Sequence, residues 1–134
     1  MLLIKTSVKP SKIQGIGVFA TQKIPKGTII WKFNPMFDIV FDEAEVKNMP
    51  EIQRDLIYSH AYFSKEIKKH IYCADNARFI NHSKNNNIDS VEAQTGEEGY
   101  DVANRDIKIG EELTMNYRQF DANDEKGGEE YLKK

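Results

Sequence analysis

Arg78-Phe79-Ile80-Asn81-His82-Ser83 sets a polar asparagine–histidine pair directly after two large apolar residues. Such a pair reads most simply as a buried turn whose side chains satisfy backbone groups, since buried donors and acceptors are almost always paired. Two chemical readings compete with it. His82 beside Ser83 has the residue types of a nucleophile and its base, but adjacent side chains rarely meet in the required geometry and no third group orients them. His82 together with His60, His70 and Cys73 offers metal-ligating side chains, but neither a second cysteine pair nor a helical His-Glu motif accompanies them. No metal site is expected.

Outward from this stretch lie two further segments of interest. Downstream, Gly110-Glu111-Glu112-Leu113-Thr114-Met115-Asn116-Tyr117 reads as a turn into a strand that ends on a tyrosine; taken singly, Tyr117 is an edge aromatic. Upstream, Gly15-Ile16-Gly17 precedes Val18-Phe19-Ala20, and two glycines around one residue let backbone approach a ligand because no Cβ intervenes. Taken alone, a tight bend is the simpler explanation. The segment is no dinucleotide fingerprint, because a strand follows it and the third glycine and helix are missing.

Between these segments the chain reads as many short strands with one helical insertion. Strands are expected at Leu2–Lys5, Gly17–Ala20, Thr28–Phe33, Met36–Phe41, His70–Cys73, Ile88–Ala93, Tyr100–Asn104 and Glu112–Asn116. A helix begins at Asp42-Glu43-Ala44-Glu45, Pro50 interrupts it, and a second runs from Glu51 to about Ile67, where Ile52, Leu56, Ile57 and Phe63 recur near helical spacing.

The chain has 134 residues, 40% of them hydrophobic, enough for one domain with its own core. Cys73, the single cysteine, forms no internal disulfide. A net charge of −2 argues against nucleic-acid binding, which calls for an excess of Lys and Arg on one face. No apolar run reaches the ~20 residues of a spanning helix, so a soluble intracellular protein, cytoplasmic or nuclear, is expected, with no membrane contact. Lys5, Lys9, Lys12, Lys23 and Lys26 make the start basic; Asp121, Asp124, Glu125, Glu129 and Glu130 make the end acidic. That end, with Gly127-Gly128, reads as a solvated flexible tail, although acidic residues also draw in a lysine-rich partner.

In this order the three segments resemble the SET-domain family of protein-lysine methyltransferases, over nearly the whole chain. Gly15-Ile16-Gly17-Val18-Phe19-Ala20, followed by Ile24-Pro25-Lys26-Gly27, is similar to the family's N-terminal segment; Arg78-Phe79-Ile80-Asn81-His82-Ser83 reproduces its Arg-Phe-Ile-Asn-His-Ser signature; and Glu112-Leu113-Thr114-Met115-Asn116-Tyr117 is similar to its Glu-Leu-Thr-x-Asp-Tyr. The resemblance implies a mainly β fold, a β-clip of short curved sheets with a helical insert at about 42–69 and a C-terminal segment threaded through a loop. It divides the chain into a SET domain, 1–118, and an acidic tail, 119–134, that closes the site.

The resemblance also implies S-adenosyl-L-methionine (AdoMet) as cofactor and a lysine-containing protein, histone-like or another, as substrate. Gly15, Ile16, Gly17, Asn81 and His82 would hold the cofactor, with Phe120 capping its adenine. Tyr117 would be catalytic, and Tyr72, Tyr100 and Met115 would line the substrate channel. A homodimer is compatible with so small a domain. The chain departs from the family pattern at Lys84-Asn85-Asn86-Asn87, where only the final asparagine is retained. It departs again at Asn116, in place of Asp, and at Met115, where Phe or Tyr is common. Flanking zinc cysteine clusters are absent. These departures keep a rival open: a non-catalytic SET-like module that binds a peptide or AdoMet without transfer.

Overall fold

The computed structural model describes residues 1–93 and 96–122. The flexible tail expected around Gly127-Gly128 lies outside the described residues. β1 (Thr6–Pro10) and β2 (Ile16–Ala20) form an antiparallel hairpin, with Pro10 opposite Ile16. Its loop closes at Gly15, whose φ of +47° favours a residue without a Cβ; the Ser11 amide donates to its carbonyl at 2.8 Å. The strand expected at Leu2–Lys5 is not formed. Leu2 makes only an isolated bridge to Trp31 and Leu3 faces solvent, while the ladder starts at Thr6, where pairing with β2 becomes available.

β3 (Ile29–Lys32) and β4 (Asp38–Phe41) lead to the insert. α1 (Glu43–Lys47) starts at Asp42, whose amide donates to Glu45 Oε1 at 3.1 Å, so the acidic cluster does open a helix. α2 (Glu51–His60) is shorter than the helix expected to about Ile67. Tyr62 and Phe63 leave it as β5 (Tyr62–Phe63) and pair with Ile71 and His70 of β6 (His70–Cys73). The aromatic pair prefers the pleated surface, and the apparent spacing misled: Ile57 is buried, whereas Ile52 is 86% exposed. β4, β6 and β5 make one small sheet. No described helix is long and apolar enough to cross a membrane.

After a 3-10 turn (Asn76–Phe79), β7 (Asn81–His82), β8 (Ile88–Val91), β9 (Tyr100–Ala103) and β10 (Glu112–Met115) complete the described strands. In the larger sheet the order is β1-β2-β10-β8-β9-β3, with β7 also on β10. β10 is antiparallel to β2, yet parallel to β7 through Thr114 opposite Asn81 and Met115 opposite His82, and to β8 through Met115 opposite Ile88. It occupies a slot bounded by three strands, the threaded arrangement of the β-clip. Leu113, Thr114 and Met115 are consecutively buried, as a strand covered on both faces requires. Val18, Ile24, Ile30, Ile88 and Ile107 pack around it, each fully buried aliphatic contributing about 1.5–3 kcal/mol before the entropy of ordering.

Candidate active site

The pairing of β7 with β10 determines where Tyr117 sits. β10 ends at Met115, and Asn116 caps a 3-10 turn, Tyr117–Gln119, by accepting the Arg118 amide at 3.1 Å. Tyr117 therefore begins a turn instead of ending a strand, and the exchange of Asp for Asn keeps the capping acceptor. The Tyr117 amide donates to His82 Nδ1 at 3.1 Å, their rings meet edge-on at 5.4 Å, and the Tyr117 hydroxyl donates to the Ile80 carbonyl. Ile80–His82 thus grips the tyrosine at its main chain and at its hydroxyl. An accepting Nδ1 requires the neutral imidazole protonated on Nε2. Burial, and then the cations of Arg118 and Lys84, hold the His82 pKa below its ordinary value, which favours that form.

Asn81 turns the other way. Its amide donates to the carbonyls of Gln14 and Ile16, at 3.2 and 3.1 Å, and to Glu112 Oε2 at 3.0 Å, fastening the first glycine segment to the central motif. The crossing backbone of β10 is served mainly by Asn87, the one asparagine retained from the family pattern and not among the expected site residues. The Thr114 amide donates to Asn87 Oδ1 at 2.9 Å, the Asn87 side-chain amide donates to the Glu112 carbonyl at 2.9 Å, and Asn87 is 2% exposed. Its only sequence signal was survival as the last asparagine in an otherwise altered stretch.

A cavity of about 600 Å³ opens beside Tyr117, within the usual range for small-molecule sites. Gly15, Ile16, Asn81, His82, Met115 and Phe120 all border it. Gly17 does not; a Cβ there would fall 2.4 Å from Glu112 Oε2, so this glycine makes room for a carboxylate. Tyr72 and Tyr100 do not border it either. Tyr72 stacks toward the Arg78 guanidinium, 6.0 Å from its ring centre, and Tyr100 sits in the β9 ladder opposite Lys32 and Val91. Tyr62 stands in the wall instead, hidden in the sequence because its segment reads as helix. Its ring meets Phe120 edge-on at 5.0 Å, and Phe120 meets Tyr117 at 5.7 Å. Phe120 is held in this row because its carbonyl accepts the Lys65 amide at 3.1 Å, while the next residues pair with β5 through Ala122 N–H to Phe63 O at 2.8 Å.

A family model of the SET domain matches residues 15–118. The chain belongs to the SET-domain family. Among solved structures, this SET domain is similar to a candidate histone methyltransferase from Plasmodium falciparum, at 17% identity and a TM-score of 0.60, over 87% of this chain and 95% of that one. It is also similar to a humanized mutant of the Chaetomium thermophilum Polycomb Repressive Complex 2 bound to an inhibitor, at 23% identity and a TM-score of 0.63, over 87% of this chain but 15% of that one. At these identities the likeness is one of fold. No curated protein matches the chain.

The cavity of this SET domain is acidic. Glu66, Glu92, Glu98, Asp101 and Asp121 border it, whereas the guanidinium of bordering Arg78 is bonded to the carbonyls of Ala74 and Asp75 at 3.0 and 2.8 Å. The Tyr62 hydroxyl donates to Glu98 Oε2 at 2.9 Å and the Ser90 hydroxyl to Asp101 Oδ1 at 3.0 Å. Burial, reinforced by the charge of Glu98 and opposed by the Ser90 hydrogen bond, pushes Asp101 up to about 7. Burial likewise drives Cys73 well above the thiol range, with Asp38 and Asp75 adding to it, which leaves an inert thiol. His70, considered above as a ligand, is bonded through Nε2 to Glu43 Oε2 at 2.9 Å.

Proposed function

We propose that this SET domain transfers a methyl group from AdoMet to the side-chain amine of a lysine in a protein substrate. The observation that carries the reading is the grip of Ile80–His82 on Tyr117 at the edge of a cavity that Gly15 and Ile16 also border. The cavity residues suit AdoMet. Nothing lies within 4 Å of the position a Gly15 Cβ would take, apolar faces come from Ile16, Met115 and Phe120, and carboxylates are at hand for a cationic ligand. Gly15, Ile16, Asn81 and His82 would hold it, with Phe120 over the adenine. Bound there, AdoMet supplies an electrophilic sulfonium methyl.

The protein's share of the chemistry is largely placement, which is worth up to about 7–11 kcal/mol of a bimolecular barrier. A lysine with a reference pKa of about 10.4 must arrive uncharged, and an aromatic wall of Tyr62, Phe120 and Tyr117 desolvates the amine and so favours that form. Tyr117 has committed its proton to the Ile80 carbonyl. It serves as an orienting group for amine and methyl through its oxygen, not as a general base. The acidic cavity favours a cationic peptide as substrate.

The test offers labelled AdoMet and a host lysate to wild type and Tyr117→Phe, alongside calorimetry of AdoMet binding. Label on lysine that is lost in the variant, with cofactor binding retained by both, is the expected result. Equal labelling by the two proteins removes the role given to Tyr117, and binding without transfer by wild type indicates the non-catalytic module.

A further inference from the structure

Glu112 does not border the cavity, yet its carboxylate ties together two segments that do. The Ser11 hydroxyl donates to Oε1 and Oε2 at 2.8 and 2.9 Å, and the Asn81 side-chain amide donates to Oε2 at 3.0 Å. Ser11 in turn accepts the amide of Ile13 at 2.9 Å, while Asn81 also donates to the carbonyls of Gln14 and Ile16. The hairpin loop between β1 and β2 is thus held from both sides by partners of one carboxylate. Gln14, Gly15 and Ile16 in that loop border the cavity. Gly17 belongs to the same device, since any larger residue would place its Cβ 2.4 Å from Glu112 Oε2.

We propose that Glu112 is a positioning residue: it sets the conformation of the Ser11–Ile16 loop, and through that loop the affinity of the site for AdoMet. The proposal rests on the reading of the cavity as an AdoMet site. Oε2 accepts from both Asn81 and Ser11 and Oε1 from Ser11, so the carboxylate supplies every acceptor by which β10 holds the two segments together. An amide keeps one acceptor for Asn81 and can donate to the Ser11 hydroxyl oxygen, so the change that cuts both arms is Glu112→Ala. A loop ordered for only about a tenth of the time binds its ligand about tenfold more weakly, without altering the chemistry of the bound state.

The test compares wild type, Glu112→Ala and Ser11→Ala, the last breaking one arm while leaving β10 untouched. Amide hydrogen exchange of the cofactor-free proteins is measured first. Exchange at the main-chain amide of residue 11, bonded to the Gly15 carbonyl across the loop, should rise about tenfold in both variants, while Ala103 and Ile107, bonded to Thr28 and Ile24, stay unchanged. Loop exchange equal to wild type, or a rise of the same size everywhere, overturns the hold of Glu112 on the loop. AdoMet calorimetry and steady-state kinetics follow. Affinity should fall about tenfold with kcat at saturating cofactor kept within about threefold. Unchanged affinity in variants with a loosened loop overturns the positioning role and leaves the cofactor reading intact. A wild type that binds no AdoMet overturns the cofactor reading, while the exchange result still decides whether Glu112 orders the loop.

Discussion

The main-chain N–H of Tyr117 donates to Nδ1 of His82 across 3.1 Å, joining residues 35 apart in sequence. The bond exists only while His82 is neutral, so it makes the site sensitive to acid. Burial, with Arg118 and Lys84, places the folded-state pKa below the ordinary 6.5. Between those two values the unfolded chain binds a proton that the native protein refuses, so stability is complete above 6.5 and declines as pH falls through the native value. His82→Asn offers an uncharged acceptor in its place. Its denaturant midpoint should vary less with pH in this acid range than that of wild type, and an unchanged pH profile would count against the assignment.

Asn87 should be among the most costly polar side chains to remove. Asn87→Leu keeps the branched shape but strands the Thr114 N–H and the Glu112 carbonyl, both bonded to Asn87 on the threaded strand. Each buried group left unpaired costs about 1–3 kcal/mol, so a loss of roughly 2–6 kcal/mol is expected in urea unfolding. A loss below about 1 kcal/mol would mean that β10 is held by other means.

What the sequence made legible follows the same division. The three motifs stood out because their residue types are unusual for their positions: two glycines before a strand, two polar residues after an apolar pair, a tyrosine behind a strand. Their convergence was not contained in local pattern; it came from resemblance, since a strand that pairs in parallel with β7 from more than 30 residues away leaves no periodic trace. Helix length failed at Tyr62-Phe63 because two aromatic residues there answered to strand pairing with β6, and Tyr62 was lost as a wall residue with it. Tyr72 and Tyr100, read in strands, stood out as channel candidates, whereas Tyr62 fell inside a segment read as helix. Only the sheets decide which of these tyrosines borders the cavity. Asn87 and Glu112 each belong to a quoted motif, but their tasks stay illegible because a polar side chain shows its role only once its partners are known.

The two glycines of Gly15-Ile16-Gly17 should fail differently. Gly15→Ala meets no atom within 4 Å and suffers only from its φ of +47°, a modest strain of about 1 kcal/mol. Gly17→Ala drives its Cβ against the Glu112 carboxylate, which must swing away from Ser11 and Asn81. Gly17→Ala should therefore be the more damaging in thermal unfolding. Combined with Glu112→Ala it should cost clearly less than the sum of the two single changes, since both act on one contact. Additive losses would show that Gly17 is needed for some other reason.

Asp101 predicts a slope of the opposite sign on the neutral side. Its carboxyl, raised chiefly by burial and further by Glu98 against the pull of the Ser90 hydroxyl, titrates at about 7 in the native protein and near 3.8 in the unfolded chain. Between these values the native state holds a proton that the unfolded chain has released, so this group's contribution to stability falls as pH rises and is lowest above 7. Asp101→Asn accepts the same Ser90 hydrogen bond without a charge to bury. The variant should gain stability over wild type at about pH 8 and lose most of that advantage near pH 4, where the wild-type carboxyl is protonated in the native protein. Urea midpoints across this range measure the difference. A gain that is constant with pH would show that the substitution improves packing alone, and that Asp101 is ionised in the native protein throughout.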